Sequence, residues 1–169
     1  EKTALADAEV EYQDHVSDTI YVAFPVKKSN IQELIGSNVV IWTTTPWTIP
    51  ANKALAYNQG LNYVLCEIDN NDILQNRKIV IANALLESVV KECELKNYKK
   101  IHTFKGKEFK NTICSHPFLN LGYEYDIPML GARFVTTDQG TGIVHCAPSH
   151  GPDDFNLCLN NGIKAIETV

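Results

Sequence analysis

The amino-acid sequence predicts an α+β fold in which a barrel-like mixed sheet of short strands is decorated with a few helices. Apolar runs typical of strands are short and numerous, long irregular excursions separate them, and few segments have the apolar spacing of a helix. A doubly wound fold would instead show regular alternation of strands and helices. This chain lacks that alternation.

The first half of the chain is predicted to contain five strands: Glu9–Tyr12, Ile20–Phe24, Val39–Trp42, Leu61–Ile68 and Lys78–Ala82. The last two flank the run Asp-Asn-Asn-Asp at 69–72, which is typical of a hairpin turn. Asn83 is a good helix cap, and the apolar residues that follow it predict a helix from Ala84 to about Leu95. Two prolines, Pro46 and Pro50, exclude a regular helix or a central strand. We therefore expect an ordered but irregular loop over 43–52.

The second half returns to strands, predicted at Ile101–Phe104, around Phe109, at Met129–Thr136 and at Ile143–His145. A corner is expected at 116–118, and turns are expected at 138–140 and 148–152. Asp153 and Asp154 then fall in the first turn of a helix that ends near Asn161.

Composition restricts the class of protein. A chain of 169 residues suits one domain, and 44% apolar and 21% charged residues are ordinary for a soluble globular protein. No run approaches the ~20 apolar residues that a membrane helix needs, so we expect no membrane association. The five scattered cysteines form no Cys-x-x-Cys pair and are interpreted as reduced thiols, for which we expect a cytoplasmic location. Because the chain begins without Met or a signal layout, we interpret it as cut from a longer one.

Charge argues against a free-standing nucleic-acid-binding protein, because the net charge is −5. Seven lysines are nevertheless concentrated in one stretch: Lys91, Lys96, Lys99, Lys100, Lys105, Lys107 and Lys110. Either a solvated surface or a weak phosphate-steering patch would explain them.

The segment after the third strand is the first of two candidate functional segments. Threonine is common in edge strands, which is one explanation of three in a row. At the start of a loop, however, successive side chains point in different directions. Hydroxyls can then contact a polar ligand while tryptophans wall the cavity and an asparagine adds an amide. The residues concerned are Trp42, Thr43, Thr44, Thr45, Trp47 and Asn52.

The second segment, residues 140–155, places two histidines and two aspartates where a strand, a turn and a helix meet. Asp153 or Asp154 would complement the helix dipole, and we accept that role for one of them. The same position lowers a carboxylate pKa, which suits the binding of a substrate ammonium. His145 is a core histidine, a pocket wall or, with a water nearby, a general base.

Two other kinds of site stay open for this segment. His145, His150, Asp153 and Asp154 combine imidazole with carboxylate, which suits zinc or manganese, although their spacing matches no helix-borne zinc motif. Cys146 beside His145 would be a nucleophile, but neighbours on a strand point to opposite faces.

The runs Trp-Thr-Thr-Thr-Pro-Trp-Thr-Ile-Pro-Ala-Asn at 42–52 and Gly-Thr-Gly-Ile-Val-His at 140–145, continued to Asp154, resemble the editing domain of bacterial isoleucyl-tRNA synthetases. That domain is the connective-polypeptide insertion of this class I family. The resemblance covers nearly the whole chain and implies one editing domain over 1–169, with 1–24 similar to its lead-in strands. Related leucyl and valyl enzymes carry an Arg after two threonines. Ser149 and Cys146 depart from the more usual Gly and Thr, which leaves the local loop geometry open.

The resemblance implies hydrolysis of valine from mischarged isoleucine tRNA, and of valyl-adenylate as a further substrate. A hydrophobic pocket separates isoleucine from valine by roughly 1–3 kcal/mol, a general estimate for which this enzyme family is itself a standard example. Asp154 corresponds to the residue that binds the amino group and His145 to the residue that limits side-chain size. Threonines 43–45 correspond to the wall around the ester and the terminal adenosine. Asn52 and Trp47 are further candidate contacts.

The implied chemistry is attack of water on the ester carbonyl, without a metal or a covalent side-chain nucleophile. The chain has no His-x-Gly-His and no Lys-Met-Ser-Lys-Ser, so ATP and Mg²⁺ are expected only in the parent enzyme and no cofactor in editing. Expected partners are the 3′ acceptor end of isoleucine tRNA carrying valine and the remainder of the synthetase. Two alternatives are a module that binds amino acid or nucleoside without turnover and a metal-dependent hydrolase.

Overall fold

Nine strands and two α-helices make up the part of the chain that the computed structural model describes, residues 18–68 and 78–165. The strands are β1 (Ile20–Lys28), β2 (Asn38–Thr43), β3 (Ala54–Tyr57), β4 (Asn62–Ile68), β5 (Lys78–Ala82), β6 (Tyr98–Lys105), β7 (Ile113–Ser115), β8 (Asp126–Gly131) and β9 (Ile143–Cys146). The α-helices are α1 (Leu86–Glu92) and α2 (Pro152–Asn160). Short 3₁₀ helices occupy Gln32–Leu34, Pro46–Ala51, Asn83–Leu85 and Gly106–Phe109. No helix within the described ranges is long and apolar enough to cross a membrane.

The strands form one mixed sheet in the order β6-β4-β5-β2-β1-β7-β8-β3-β9. β2 pairs with β5, and β3 with β8, in parallel, and the other pairs are antiparallel. The predicted α+β class, with its mixed sheet and few helices, is confirmed. The expected closure into a barrel is wrong for the described strands, because β6 and β9 lie at the two ends of the order. β9 packs beside β2, which already hydrogen-bonds β1 and β5, and forms no ladder with it.

Several predicted elements need correction, while the antiparallel pairing of β4 with β5 is confirmed. Asn83 does not cap α1; its Oδ1 accepts a hydrogen bond from Lys100 Nζ, and a 3₁₀ turn precedes the helix. The segment around Phe109 is a 3₁₀ helix rather than a strand, and the fully buried ring of Phe109 packs against Tyr63 and Phe104. Strand β8 ends at Gly131, short of the predicted 136. The predicted strand at 9–12 and the turn at 69–72 lie outside the described residues.

Two hydrophobic clusters hold the sheet, and the smaller one positions α2. The larger cluster is built from big side chains, including Tyr63, Phe104 and Phe109. The smaller contains Ala54, Ala56, Ala132, Val135, Cys146 and Cys158, with Cys158 on α2 and Cys146 on β9. Small residues let a helix approach a sheet closely because little side-chain volume separates the backbones. The first turn of α2 therefore lies next to the end of β9.

Candidate functional site

The ends of β2 and β9 and the start of α2 enclose a cleft of about 350 Å³. Both segments singled out in the sequence meet here. Threonines 43–45, His145 and Asp154 all line the cleft, as does Trp42. Their predicted proximity therefore agrees with the geometry.

The threonine segment does not run as the irregular loop expected from its prolines but forms the 3₁₀ helix Pro46–Ala51. Pro46 stands at its first position, where a backbone N–H would have no helical partner. The N–H groups of Thr48 and Asn52 donate to the carbonyls of Thr45 and Ile49, at 3.0 Å each, so one turn closes before Pro50 and the next contains it. Since residues three apart eclipse in a 3₁₀ helix, Thr45 and Thr48 face the same side.

The hydroxyls of this segment are bonded to one another. Thr45 N–H donates to Thr43 Oγ1 at 3.1 Å, and the hydroxyls of Thr43 and Thr45 are 3.2 Å apart. Thr43 is buried, Thr45 is half-buried and Thr44 is exposed. The cleft therefore has a preorganised hydroxyl wall at the end of β2.

His145 is held by Thr48. The Thr48 hydroxyl donates to the Thr45 carbonyl at 2.8 Å, and its oxygen lies 3.1 Å from His145 Nε2. Because the only hydroxyl proton is already used, we infer that Nε2 carries the ring proton and donates to Thr48. The other nitrogen, Nδ1, is buried and has no hydrogen-bond partner within the described part of the chain.

Burial keeps the His145 ring neutral. The side chain is 8% exposed, and desolvation, with a smaller effect of His150, lowers its pKa to about 4. At neutral pH it is an uncharged, bulky wall of the cleft and a weak general base. Of the roles left open for His145, the pocket wall fits this environment best.

Asp154 lies in the first turn of α2, as predicted, with Oδ2 accepting from the Ala147 N–H at 2.9 Å. The sequence predicted a lowered pKa at this helix start, and that direction is wrong. Burial raises the pKa of Asp154 and outweighs the lowering by the Ala147 N–H, the Cys146 thiol and His150. An ionised Asp154 is therefore a destabilised anion that gains from a bound cation.

Two predicted contacts lie away from the cleft. Trp47 is 68% exposed and is not part of the cleft wall. Asn52 is fully buried, its Nδ2 donates to the Ala54 carbonyl at 3.0 Å, and it does not reach the cleft either. Trp47 lies away from the cleft because the three-residue turn of the 3₁₀ helix places it on a different side from Thr45 and Thr48.

Three residues that the sequence reasoning missed belong to the site. Thr48 orients His145, and Phe134 and Thr141 line the cleft. The role of Thr48 was detectable in principle from the sequence. A proline can mark the start of a short helix, and in a 3₁₀ helix Thr48 faces the same side as Thr45 because the two are three residues apart. Phe134 follows no motif and comes near the cleft only through tertiary structure.

A close backbone approach fixes the turn into β9. Gly142 has φ +71°, and a Cβ built on it would lie 2.4 Å from the Ala82 Cβ. The Tyr63 hydroxyl donates to the Gly142 carbonyl at 2.8 Å. A larger residue at 142 would displace the strand that carries His145.

The alternative sites have weak geometric support. Within residues 18–68 and 78–165, no group of three or more His, Cys, Asp or Glu side chains is arranged to hold a metal ion. His150 and Asp153 are exposed and lie outside the cleft wall. Cys146 is fully buried, and burial raises the pKa of its thiol, which makes it a poor nucleophile.

No family model matches the chain. It is 76% identical over all of its 169 residues to the isoleucine–tRNA ligase of Pelagibacter ubique (strain HTCC1062), of which it covers 19%. It is 47% identical over 175 aligned positions to the isoleucine–tRNA ligase of Gluconobacter oxydans (strain 621H), covering the whole chain and 18% of that protein. The chain thus spans less than a fifth of the length of these relatives.

Solved structures share the fold. GlLeuRS-CP1 superposes with a TM-score of 0.62 at 19% identity, over 85% of this chain and 63% of that one. The editing domain of the Plasmodium knowlesi (P.knowlesi) cytosolic leucyl-tRNA synthetase gives 0.59 at 13% identity, over 90% and 66%. The chain therefore belongs, as a segment, to the isoleucine–tRNA ligase family, and its fold is that of a synthetase editing domain.

Proposed function

We propose that this chain is an aminoacyl-ester hydrolase that removes valine from mischarged isoleucine tRNA, with valyl-adenylate as a further substrate. One observation carries the proposal. A partly buried carboxylate, a neutral imidazole and a hydroxyl wall line a single cleft of about 350 Å³.

Asp154 binds the α-ammonium of the substrate in this proposal. Its position is fixed by the Ala147 N–H, and its burial makes the ion pair worth more than it would be in water. An ester of an amino acid carries a free ammonium but no free carboxylate, so a single anionic group matches it.

His145 is the steric stop. Its neutral ring is anchored through Nε2 to Thr48, so it resists displacement by one extra methylene. Valine fits the cleft and isoleucine does not. The synthetic pocket separates the two amino acids by only roughly 1–3 kcal/mol of binding free energy, and the cleft provides a second selection by size.

The hydroxyls of Thr43 and Thr45 orient the ester and the attacking water. Water adds to the ester carbonyl, the bond from carbonyl carbon to ribose oxygen breaks, and that oxygen leaves with a proton. Because His145 is a weak base, we assign the proton transfer to no side chain and name the neighbouring ribose hydroxyl as the candidate. No metal or cofactor takes part, and ATP and Mg²⁺ serve only the parent ligase.

The partners are the 3′ acceptor end of isoleucine tRNA and the remainder of the synthetase chain. We place the protein in the cytoplasm, where tRNA is charged.

A deacylation assay with valyl- and isoleucyl-tRNA tests the proposal. We expect release of valine with little release of isoleucine, and the same rates in the presence of a chelator. Binding of the charged end without release would favour the module without turnover, a candidate that the low pKa of His145 supports. Loss of activity with chelator, restored by zinc, would favour the metal-dependent hydrolase.

A further inference from the structure

Two adjoining clefts lie at the end of α2 that is remote from Asp154. One, of about 540 Å³, is bordered by β1, β8 and the end of α2, and the other, of about 410 Å³, by the turns after β3 and β8. Gly131 lines both, so the two clefts adjoin at this residue. Together they are called the basic groove here, and their principal polar residues are Lys28, Asn30, Lys110, Asn111, Arg133 and Asn161.

The charge of this groove is opposite to that of the protein. The net charge of the chain is −5, yet the described residues that line the groove include Lys28, Lys110 and Arg133 and no Asp or Glu. The acidic side chain at the start of β8, Asp126, lies 2.6 Å from Lys27 Nζ and does not line the groove. Concentrated positive charge in a concave surface attracts a polyanion.

The other polar groups suit phosphate and sugar oxygens. Asn30 Nδ2 donates to the Lys110 carbonyl at 3.1 Å, which ties the Lys110 turn to β1. Asn111 follows with φ +65°, a conformation that asparagine tolerates better than most residues. Amide side chains supply donors without adding a competing negative charge.

The nearby C-terminus of α2 does not oppose an anion with bare carbonyls. The N–H groups of Asn161 and Ile163 donate to the Cys158 carbonyl, and that of Gly162 donates to Leu159. Asn161 Nδ2 also donates to the Leu157 carbonyl at 2.8 Å, so the groove meets a helix end at which three carbonyls are occupied.

Helix α2 sets the distance between the groove and the proposed ester site. Asp154 and Asn161 are seven residues apart on and just beyond α2, which corresponds to about 10 Å at 1.5 Å per residue. A stacked nucleic-acid strand rises about 3.4 Å per nucleotide, so this distance covers about three nucleotides. Along the helix axis, this separation is within the length of a short RNA strand.

We propose that the basic groove binds the phosphodiester backbone of the RNA strand whose 3′ end enters the cleft beside Asp154. The proposal rests on the proposed function, because it takes the acceptor strand of tRNA as the ligand. Of the seven lysines concentrated in the sequence, Lys110 belongs to this groove, whereas the others lie around α1 and β6 or on the adjacent 3₁₀ turn.

The test compares two triple variants of equal charge. K28Q/K110Q/R133Q removes the groove cations, and K91Q/K96Q/K99Q removes three exposed lysines around α1 and β6. Binding of uncharged tRNA is measured by fluorescence anisotropy at several salt concentrations. Loss of three phosphate contacts should weaken binding roughly 100-fold at 0.1 M salt and reduce the slope of log K against log salt by about 2, while the control changes little.

A second measurement separates this proposal from the proposed function. Hydrolysis of a small valyl-adenosine ester should be unchanged in K28Q/K110Q/R133Q, while KM for valyl-tRNA rises. Equal losses of tRNA affinity in the two triple variants would overturn the groove proposal, and so would an unchanged salt slope in the groove variant. A wild-type chain that binds tRNA through the groove but hydrolyses neither ester would overturn the proposed function alone.

Discussion

Two histidines are buried among the residues that the structure describes, His116 and His145, and they differ in one hydrogen bond. His116 donates from Nε2 to the Ile49 carbonyl at 3.0 Å and accepts at Nδ1 from the Phe118 N–H at 3.1 Å. His145 donates from Nε2 to Thr48, but its Nδ1 has no partner among the described residues. An unpaired buried acceptor costs free energy, which His116 avoids. His116 is fully paired within the scaffold, whereas His145, which lines the cleft, keeps an unpaired acceptor.

The two histidines nevertheless act on one element. His116, stacked on Tyr123 at 4.5 Å, holds the 3₁₀ helix Pro46–Ala51 through the carbonyl of Ile49. His145 contacts the same helix one residue earlier, through the hydroxyl of Thr48. The helix is thus held on one side by His116, which lies among aromatic rings, and on the other by His145, which lines the cleft. Variants on each side should separate stability from specificity.

The largest effect is expected on the cleft side, from Asp154→Ala. Loss of a partly buried ion pair with the substrate ammonium should lower kcat/KM for valyl-tRNA deacylation by about 1000-fold, or about 4 kcal/mol. Asp154→Asn keeps an acceptor for the Ala147 N–H but no charge, and should lose as much. Asp153→Ala, at an exposed position outside the cleft, is the matched control. Unchanged turnover in Asp154→Asn would show that Asp154 does not bind the substrate ammonium.

On the scaffold side, His116→Ala should lower the free energy of unfolding by about 3 kcal/mol, because it leaves two backbone groups unpaired and a cavity among aromatic rings. Urea denaturation measures this loss. The ratio of valyl to isoleucyl turnover should change much less than in His145→Ala. A loss below about 1 kcal/mol would show that His116 is not needed to hold this corner.

The contribution of His145 to the stability of the fold should depend on pH. Its folded pKa of about 4 lies below the ordinary 6.5, so the unfolded chain takes up the proton first. Stability from this residue is complete above pH 6.5 and declines as the pH falls towards 4, by about 3 kcal/mol in total. The pKa of Asp154 is raised, so Asp154 has the opposite effect. Its contribution to the free energy of unfolding increases as the pH falls.

The measurement for His145 is the free energy of unfolding of wild type and His145→Gln between pH 7 and pH 4. The difference between the two proteins should move by about 3 kcal/mol in favour of the variant at the acidic end. Parallel pH profiles would mean that His145 is not a buried neutral group.

His145→Ala should relax specificity. Removal of the ring makes room for one methylene, so hydrolysis of isoleucyl-tRNA should rise by roughly 10–200-fold, which corresponds to about 2 kcal/mol. Valyl-tRNA turnover in the same preparation serves as the reference. Continued rejection of isoleucine would assign the size limit to another wall of the cleft.

The sequence singled out Asp154, His145 and threonines 43–45, which line one cleft in the structure, because their signals are local. A turn followed by a helix start places Asp154, and a strand that begins after a glycine-rich turn places His145. The direction of the pKa of Asp154 was wrong because burial depends on tertiary packing that no local pattern contains. The same limit applies to Phe134, and to the openness of the sheet, which depends on how distant strands pair.

The positions of Trp47 and Asn52 were mispredicted for a different reason. Two prolines suggested an irregular loop, in which any side chain is free to face a ligand. The 3₁₀ helix instead imposes a three-residue period that turns Trp47 outwards and aligns Thr48 with Thr45. The residue that anchors His145 is therefore Thr48, three positions after Thr45.

Thr48→Val tests that link and should have the smallest effect. Valine has nearly the shape of threonine but no hydroxyl, so the Nε2–H of His145 loses its acceptor and the ring its anchor, at a cost of about 1 kcal/mol. We expect a several-fold fall in the ratio of valyl to isoleucyl turnover. Thr48→Ser keeps the hydroxyl and should retain the wild-type ratio. Because both variants are small changes at one buried position, equal ratios in the two would mean that shape alone holds His145 in place.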